Sequence, residues 1–452
     1  MSISPVPDLT KIPEQAEMKL FQVGIMSICF AVVALDGFDT QSIAFVAPAL
    51  RESWGISPAL FGPLFGAGLF GTMLGSIFLG SLADSYGRKP LLLISTGLFG
   101  VMSLLCASAT SIESLGIYRF VAGLGLGGAI PNVLALVSEY APRRVRSTVI
   151  VTTFTGFPFG AVAGGIASAK IIPVFGWESV FICGGILPLV LVPLIIIGIP
   201  ESLRYLSMGK NPRDKIRKIL VRMDPELAGI DLERMVPPDD HHKMVPVRNL
   251  FMQDRAAWTL LLWLLTFTTL LLAYFLVNWT PLILVDAGLP HDKAILGVVA
   301  LNLGGIIGSI ILGRISDRSG PFLSLGAAFG VGAIFVAAVG FMIHSETSVL
   351  LSLIFVVGLC VFGAQLNISA VSANYYPVSM RSTGIGWNMG MGRIGSFIGP
   401  TLGGALIAYG LARGQLFLCA AAPAVLACLI VILMSFNVPV DKEINKPATG
   451  PP

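Results

Sequence analysis

Gly128-Ala-Ile-Pro-Asn132-Val-Leu-Ala135-Leu-Val-Ser-Glu-Tyr140-Ala-Pro142-Arg-Arg-Val-Arg146-Ser147-Thr148 recurs as Gly363-Ala-Gln-Leu-Asn367-Ile-Ser-Ala370-Val-Ser-Ala-Asn-Tyr375-Tyr-Pro377-Val-Ser-Met-Arg381-Ser382-Thr383. A shift of 235 positions aligns the two without a gap, and nine of the 21 positions are identical. Apolar helices resemble one another by chance, but a shared Tyr-x-Pro and Arg-Ser-Thr do not arise that way. The stretch therefore predicts a duplicated chain. Each copy starts in an apolar segment and ends in a basic loop, so both run in the same direction. Parallel copies related by an axis along the membrane normal are one repeat type of membrane transporters.

Composition places those copies in a membrane. The 452 residues are 55% hydrophobic and only 12% charged. Soluble domains carry about 25% charged residues. A span needs about 20 apolar residues. Twelve stretches qualify: 20–49, 58–83, 89–109, 112–138, 148–171, 177–198, 257–285, 293–315, 321–343, 348–373, 382–408 and 414–436. The expected fold is all-α, with twelve transmembrane helices in two parallel six-helix halves. The divisions are an N-terminal tail (1–19), a first half (20–198), a linker (199–256), a second half (257–436) and a C-terminal tail (437–452). The linker reads as one or two short amphipathic helices on the membrane surface.

Charge placement sets the expected orientation. With both termini in the cytoplasm, only Arg51, Lys170, Lys293 and Arg413 of the 29 Lys and Arg face outside. Arg119 and Arg393 lie within spans, and the other 23 face inside. The opposite orientation inverts that ratio. A bacterial inner-membrane location with cytoplasmic termini is expected, and no cleavable signal peptide is seen.

Several classes are excluded. A net charge of +4 is too small to argue for nucleic acid. The six cysteines lack CxxC spacing and read as small buried hydrophobes. All four histidines fall in loops, so no metal or cofactor site is expected. Gly123, Gly125 and Gly128 match GxGxxG but lie inside a span and follow no strand. They read as small residues that let helices approach closely. No nucleophile–base pair is seen in the spans, so an enzyme is not expected.

Two loops carry a common pattern. After span 2 stands Gly80-Ser-Leu-Ala-Asp84-Ser-Tyr-Gly87-Arg88-Lys89-Pro90, and after span 8 Gly313-Arg314-Ile-Ser-Asp317-Arg318-Ser-Gly320. Glycine permits close helix approach, and a carboxylate is followed by cations one turn away. Such a loop can act as a conformational latch, with Asp84 capping a helix or pairing with arginine in one state only.

Charges inside the spans are rarer and more telling. Asp36 and Asp39 are three residues apart and share a face of span 1. A carboxylate near the bilayer centre costs about 2.5–3.5 kcal/mol. A cation, a water-filled cavity or a bound proton removes that cost, and cycling among these is proton coupling. Asp39 lies roughly 15 Å before the outer end of span 1 and Arg119 roughly 10 Å after that of span 4. The two are therefore expected to meet. Arg393 sits about 18 Å up span 11 from Arg381, near the midplane. It is either a salt-bridge partner for a span-1 aspartate or a bidentate clamp for a substrate carboxylate. Phe38, Tyr274, Phe275, Trp279 and Trp387 are candidates for a ring-binding wall. Gln365 and Asn367 either bond a ring hydroxyl or bond neighbouring helices.

Taken together, Gly80–Lys89 and its second copy, Tyr118-Arg119-Phe120-Val-Ala-Gly123-Leu-Gly125 and Pro200-Glu201-Ser202-Leu-Arg204-Tyr205 resemble the motifs of the major facilitator superfamily. Asp36-Gly37-Phe38-Asp39, Tyr274-Phe-Leu-Val-Asn278-Trp279-Thr-Pro281 and Gly390-Met-Gly392-Arg393-Ile-Gly395-Ser396 are similar to its aromatic acid:proton symporter branch. The resemblance implies import of benzoates, hydroxybenzoates or hydroxyphenylpropionates with protons. It also implies a substrate site near Asn278 and no cofactor beyond the proton. Secondary transport by this fold needs no oligomer, so a monomer in the bilayer is expected. Span 5 lacks the adjacent Gly-Pro pair of the family's antiporters, which favours symport. The alternatives are a proton-driven exporter of acids or drugs and a non-transporting sensor of aromatic acids.

Overall fold

The computed structural model describes residues 18–208, 213–224, 246–252, 255–377 and 380–436. Among them there is helix and no strand. Span 1 is Leu20–Trp54, span 2 Phe61–Tyr86, span 3 Arg88–Ala107, span 4 Ile112–Tyr140 and span 6 Glu178–Gly198. Span 5 is two helices, Arg146–Phe154 and Gly156–Phe175. In the second half, spans 7, 8 and 9 are Ala256–Asp286, His291–Ser319 and Pro321–Phe341. Span 10 joins Thr347–Val357 to Gly363–Tyr375 through a π turn at Gly358–Phe362. Spans 11 and 12 are Arg381–Ala408 and Arg413–Phe436. Eleven of these are long and apolar enough to cross a bilayer. Span 11 is the twelfth: its 28 residues reach about 42 Å, but its glycines and Arg393 make it less apolar.

Odd-numbered spans start at one face of the bundle, here the near face, and end at the other, the far face. Span 1 overruns its expected end and stops at Gly55, whose φ of 65° closes the helix with a bond to the Arg51 carbonyl. Span 2 stops at Gly87, where φ is 96° and a Cβ would lie 2.5 Å from Glu201 Oε2. Glycine is required there twice over.

Small residues decide which helices pair. A Cβ on Gly123 of span 4 would sit 2.1 Å from the Gly68 carbonyl oxygen of span 2. Its mate 235 residues on, Gly358, would sit 2.2 Å from the Leu301 oxygen of span 8. The 2/4 and 8/10 pairs are thus the same construction, made once in each half. Spans 1 and 5 meet at Gly160, where a Cβ would fall 1.7 Å from the Ala34 oxygen, and spans 7 and 11 meet at Gly395 over Phe267. Lipid offers no hydrophobic drive between helices, so close backbone contact supplies the attraction. Gly160→Val forces spans 1 and 5 apart and is expected to cost about 1–3 kcal/mol, as overpacking does. Gly97→Val faces open space and serves as the control. Melting curves in detergent check the pair, and equal stability for both variants contradicts the packing described.

The linker is less autonomous than its amphipathic pattern suggests. Its helix Arg213–Met223 buries Ile216, Ile219, Leu220 and Met223 in the first half's core beside Ile25, Val137 and Ile199. Lys19 pairs with Asp224 at 2.7 Å, and the Arg222 guanidinium lies 5.2 Å from the Phe21 ring centre. The rest of the linker includes Leu203–Ser207 and Val247–Phe251; its acidic, proline-bearing stretch lies outside the described residues.

The contacts joining the halves concentrate toward the far face. Phe65 of span 2 meets Trp279 of span 7 edge-on at 5.3 Å. Gly62 of span 2 and Gly404 of span 11 touch backbone to backbone. These contacts seal the bundle at the far face. On the near side, Met389 and Gly386, one and two turns from Arg393, are exposed.

Candidate functional site

Asp39 and Arg119 meet where the sequence depth places them. Arg119 Nη1 donates to Asp39 Oδ2 at 2.9 Å, and Nη2 to the Asp39 backbone oxygen at 2.9 Å. Ser103 of span 3 donates to Oδ1. Both charged side chains are buried, at 3% and 1% exposure, so each depends on the other for solvation. Phe181 of span 6 lies 5.8 Å from the guanidinium, adding a cation–π contact. A small cavity lined by Thr40, Gly68, Thr72 and Arg119 adjoins the pair. Arg119 Nε has no hydrogen-bond partner among the described residues.

One turn nearer the near face, Asp36 is buried and accepts a bond from Thr40 Oγ1 at 3.3 Å. Among the described residues it makes no ion pair within 4 Å. Arg393, from the other half, is the opposite charge acting on it, and Asp39 a like charge acting on it. Arg393 also acts on Tyr274 of span 7. Three polar groups from spans 1, 7 and 11 thus converge without closing on one another. Of the two readings of Arg393, the direct salt bridge is absent among the described residues, and Arg393 is half-buried.

Several sequence candidates are placed elsewhere. Trp279 is fully buried and donates from Nε1 to the Pro400 oxygen at 2.9 Å, so it seals the far side rather than lining a ring pocket. Phe38 faces spans 5 and 6, against Gly164 and Gly184. Phe275 is also buried in the core. Trp387 is 47% exposed and stacks on Trp263, six residues and about 9 Å of rise from Arg393. Asn367 spends its amide on the Ser309 and Gly363 oxygens, which makes it a tie between spans 8 and 10. Gln365, on the opposite side of that helix, is half-buried and has no hydrogen bond among the described residues. Asn278 donates to the Tyr274 oxygen at 2.8 Å, and its own Oδ1 is buried without a partner.

At the first loop, the start of span 3 is held by a residue from beyond the loop. Glu201 caps the start of span 3: its Oε1 accepts from the backbone N of Arg88 and Lys89 at 2.9 and 3.1 Å. Arg88 Nε lies 3.5 Å from Glu139 Oε1, and Ser202 Oγ donates to the same oxygen. Gly80 runs past Pro131 of span 4. The Asp84 side chain lies outside the described residues. Asp317 and Arg318 in the second copy are exposed and make no ion pair among the described residues. The two copies, alike in sequence, are locked to different extents.

Polar half-to-half bridges escaped the reading of the sequence. Gln41 and Asn302 exchange amide bonds of 3.2 and 2.9 Å, both buried, between spans 1 and 8. Arg51 pairs with Asp286 between the ends of spans 1 and 7. Neutral amides inside apolar helices carry no spacing signal. Arg51 and Asp286 did carry one, being 235 residues apart, the offset of the repeat. His291, expected in a loop, opens span 8 and lies 3.0 Å from Glu52. All six cysteines are free, although Cys419 is exposed rather than buried.

The Major Facilitator Superfamily model matches residues 29–371 and 328–452. The chain is 36% identical to a 4-hydroxybenzoate transporter of Pseudomonas aeruginosa, over 91% of this chain and 92% of that one. It is 37% identical to a gallate transporter of Pseudomonas putida, over 91% of each. A 3-(3-hydroxy-phenyl)propionate transporter of Escherichia coli is 34% identical over 94% and 97%. Among solved structures, the xylose transporter XylE of E. coli superposes with a TM-score of 0.70 at 17% identity, covering 93% of this chain and all of the other. A bacterial homologue of the lysosomal transporter Spinster gives 0.72 at 16% identity, over 93% and 98%.

Proposed function

Because this chain belongs to the major facilitator superfamily, we propose that it carries an aromatic carboxylate into the cell together with a proton. It is a multi-pass membrane transporter, not an enzyme, and its relatives are named for aromatic acids. The finer claims are direction, proton coupling and site. They rest on one observation: Arg393, without an ion pair among the described residues, acts on Asp36 across the interface of the halves and on Tyr274 within its own half, and Asp36 lies one turn from the Asp39–Arg119 pair.

In this reading the substrate carboxylate docks on the Arg393 guanidinium, which suits it as a bidentate fork. Tyr274 and the orphan Asn278 oxygen offer bonds to ring substituents. Asp36 next to a bound anion is relieved by taking a proton, so that substrate and proton occupy the site together. Asp39 takes part by exchanging Arg119 for a proton in the alternate state. The halves rock about this midplane site and expose it to each side in turn. The near face is then the cytoplasm of a bacterial cell, with both termini there and the chain working as a monomer.

The test is uptake of labelled 4-hydroxybenzoate, benzoate, gallate and 3-(3-hydroxyphenyl)propionate by cells expressing the protein. The reading expects accumulation of at least one acid, abolished by a protonophore. Efflux driven in everted vesicles, or uptake indifferent to the protonophore, contradicts it.

A further inference from the structure

Arg51 and Asp286 occupy equivalent positions of the two halves, 235 residues apart, and yet touch. In a body with two-fold related halves, a residue meets its own mate only at the axis. That axis runs through the transport pathway. The pair therefore closes the pathway at its centre, on the far face.

Its surroundings are unequal. Asp286 also has Arg413 of span 12 at 3.8 Å, within its own half. Arg51 has no second carboxylate directed at it among the described residues. Glu52 is the next residue, but neighbours in a helix point about 100° apart and do not face each other. Glu52 turns instead to His291 at 3.0 Å. When the halves part at the far face, Asp286 keeps Arg413 while Arg51 loses the one counter-charge it has among the described residues. The side chains are 31% and 21% exposed even in the closed state, so opening wets them at once.

Building on the functional reading above, we propose that Arg51 is a docking point for the substrate's carboxylate at the far-side mouth, bared when the halves part and covered by Asp286 when they close. An incoming carboxylate then takes the place of Asp286 on the same guanidinium. A charged mouth of this kind raises the local concentration of an anionic solute, and salt weakens it. Deeper in, Arg393 receives the same carboxylate, so the anion passes from one guanidinium to another along the axis. Arg413 stays neutralised by Asp286 and does not compete.

Arg51→Gln and Asp286→Asn separate docking from mere closure. Both break the ion pair, but only the first removes the cation. Initial uptake of labelled 4-hydroxybenzoate, or of whichever acid the panel above accumulates best, is measured against concentration in cells whose membrane level of each variant is equalised by a fluorescent tag. Arg51→Gln is expected to raise KM about tenfold with the maximal rate within about twofold of the parent protein, and to lose the parent's sensitivity to added salt. Asp286→Asn is expected to leave KM unchanged or lower. Arg51→Lys, which keeps the charge, is expected to recover most of the affinity. Equal KM shifts in Arg51→Gln and Asp286→Asn, or none in Arg51→Gln, overturn the proposal. A parent protein that takes up none of the acids contradicts the functional reading instead.

Discussion

Asp39→Asn is expected to reduce accumulation of the aromatic acid to its equilibrium level. The substitution leaves the shape of the site nearly intact, and Asn can still accept from Ser103. What it removes is the only carboxylate paired with Arg119, which is 3% exposed. Breaking one side of a buried ion pair typically costs about 3–5 kcal/mol, because the remaining charge is stranded. The variant is therefore also expected to melt at a lower temperature in detergent. The two effects are read separately, uptake at matched membrane level and stability on purified protein. Accumulation that survives Asp39→Asn removes Asp39 from the coupling scheme. A melting temperature equal to that of the parent protein contradicts the ion pair's contribution.

Arg393→Lys is the sharper test of substrate recognition. Lysine keeps a positive charge opposite Asp36, so the electrostatic balance of the pair is retained. It loses the planar fork that holds both oxygens of a carboxylate. A hydrogen bond to a charged group is worth about 1.5–3 kcal/mol. Losing one corresponds to roughly a 10–100-fold rise in Kd. Calorimetric titration of purified protein with the transported acid checks it. An unchanged Kd makes Arg393 a balancing charge for Asp36 and moves the carboxylate elsewhere.

The sequence made some features plain and hid others, for physical reasons. The twelve helices were readable because every lipid-facing backbone must be internally bonded, which leaves long apolar runs. The Asp39–Arg119 contact was readable because helix rise converts residue counts into depth. Aromatic roles were not readable. Trp279, Phe38 and Trp387 stand beside the charged motifs in sequence, but neighbours along a helix point to different sides. Only the packing decided that Trp279 seals the far face and Phe38 fills the notch at Gly164. The cap at the start of span 3 was not readable either, since Glu201 reaches it from more than 100 residues away. Sequence spacing speaks about contacts within one helix and is silent about contacts between helices. The repeat is the exception, since it relates distant positions by symmetry. Arg51 and Asp286 could have been paired from it.

The central claim is that substrate and proton move together. Purified protein in liposomes, with a weakly buffered exterior and a pH-sensitive dye outside, tests it directly. Adding the aromatic acid as its anion, with no other gradient imposed, is predicted to make the exterior alkaline at a rate that follows substrate uptake, and Asp39→Asn liposomes are predicted to show no such change. Uptake of labelled acid without external alkalinisation, or with acidification, contradicts the account.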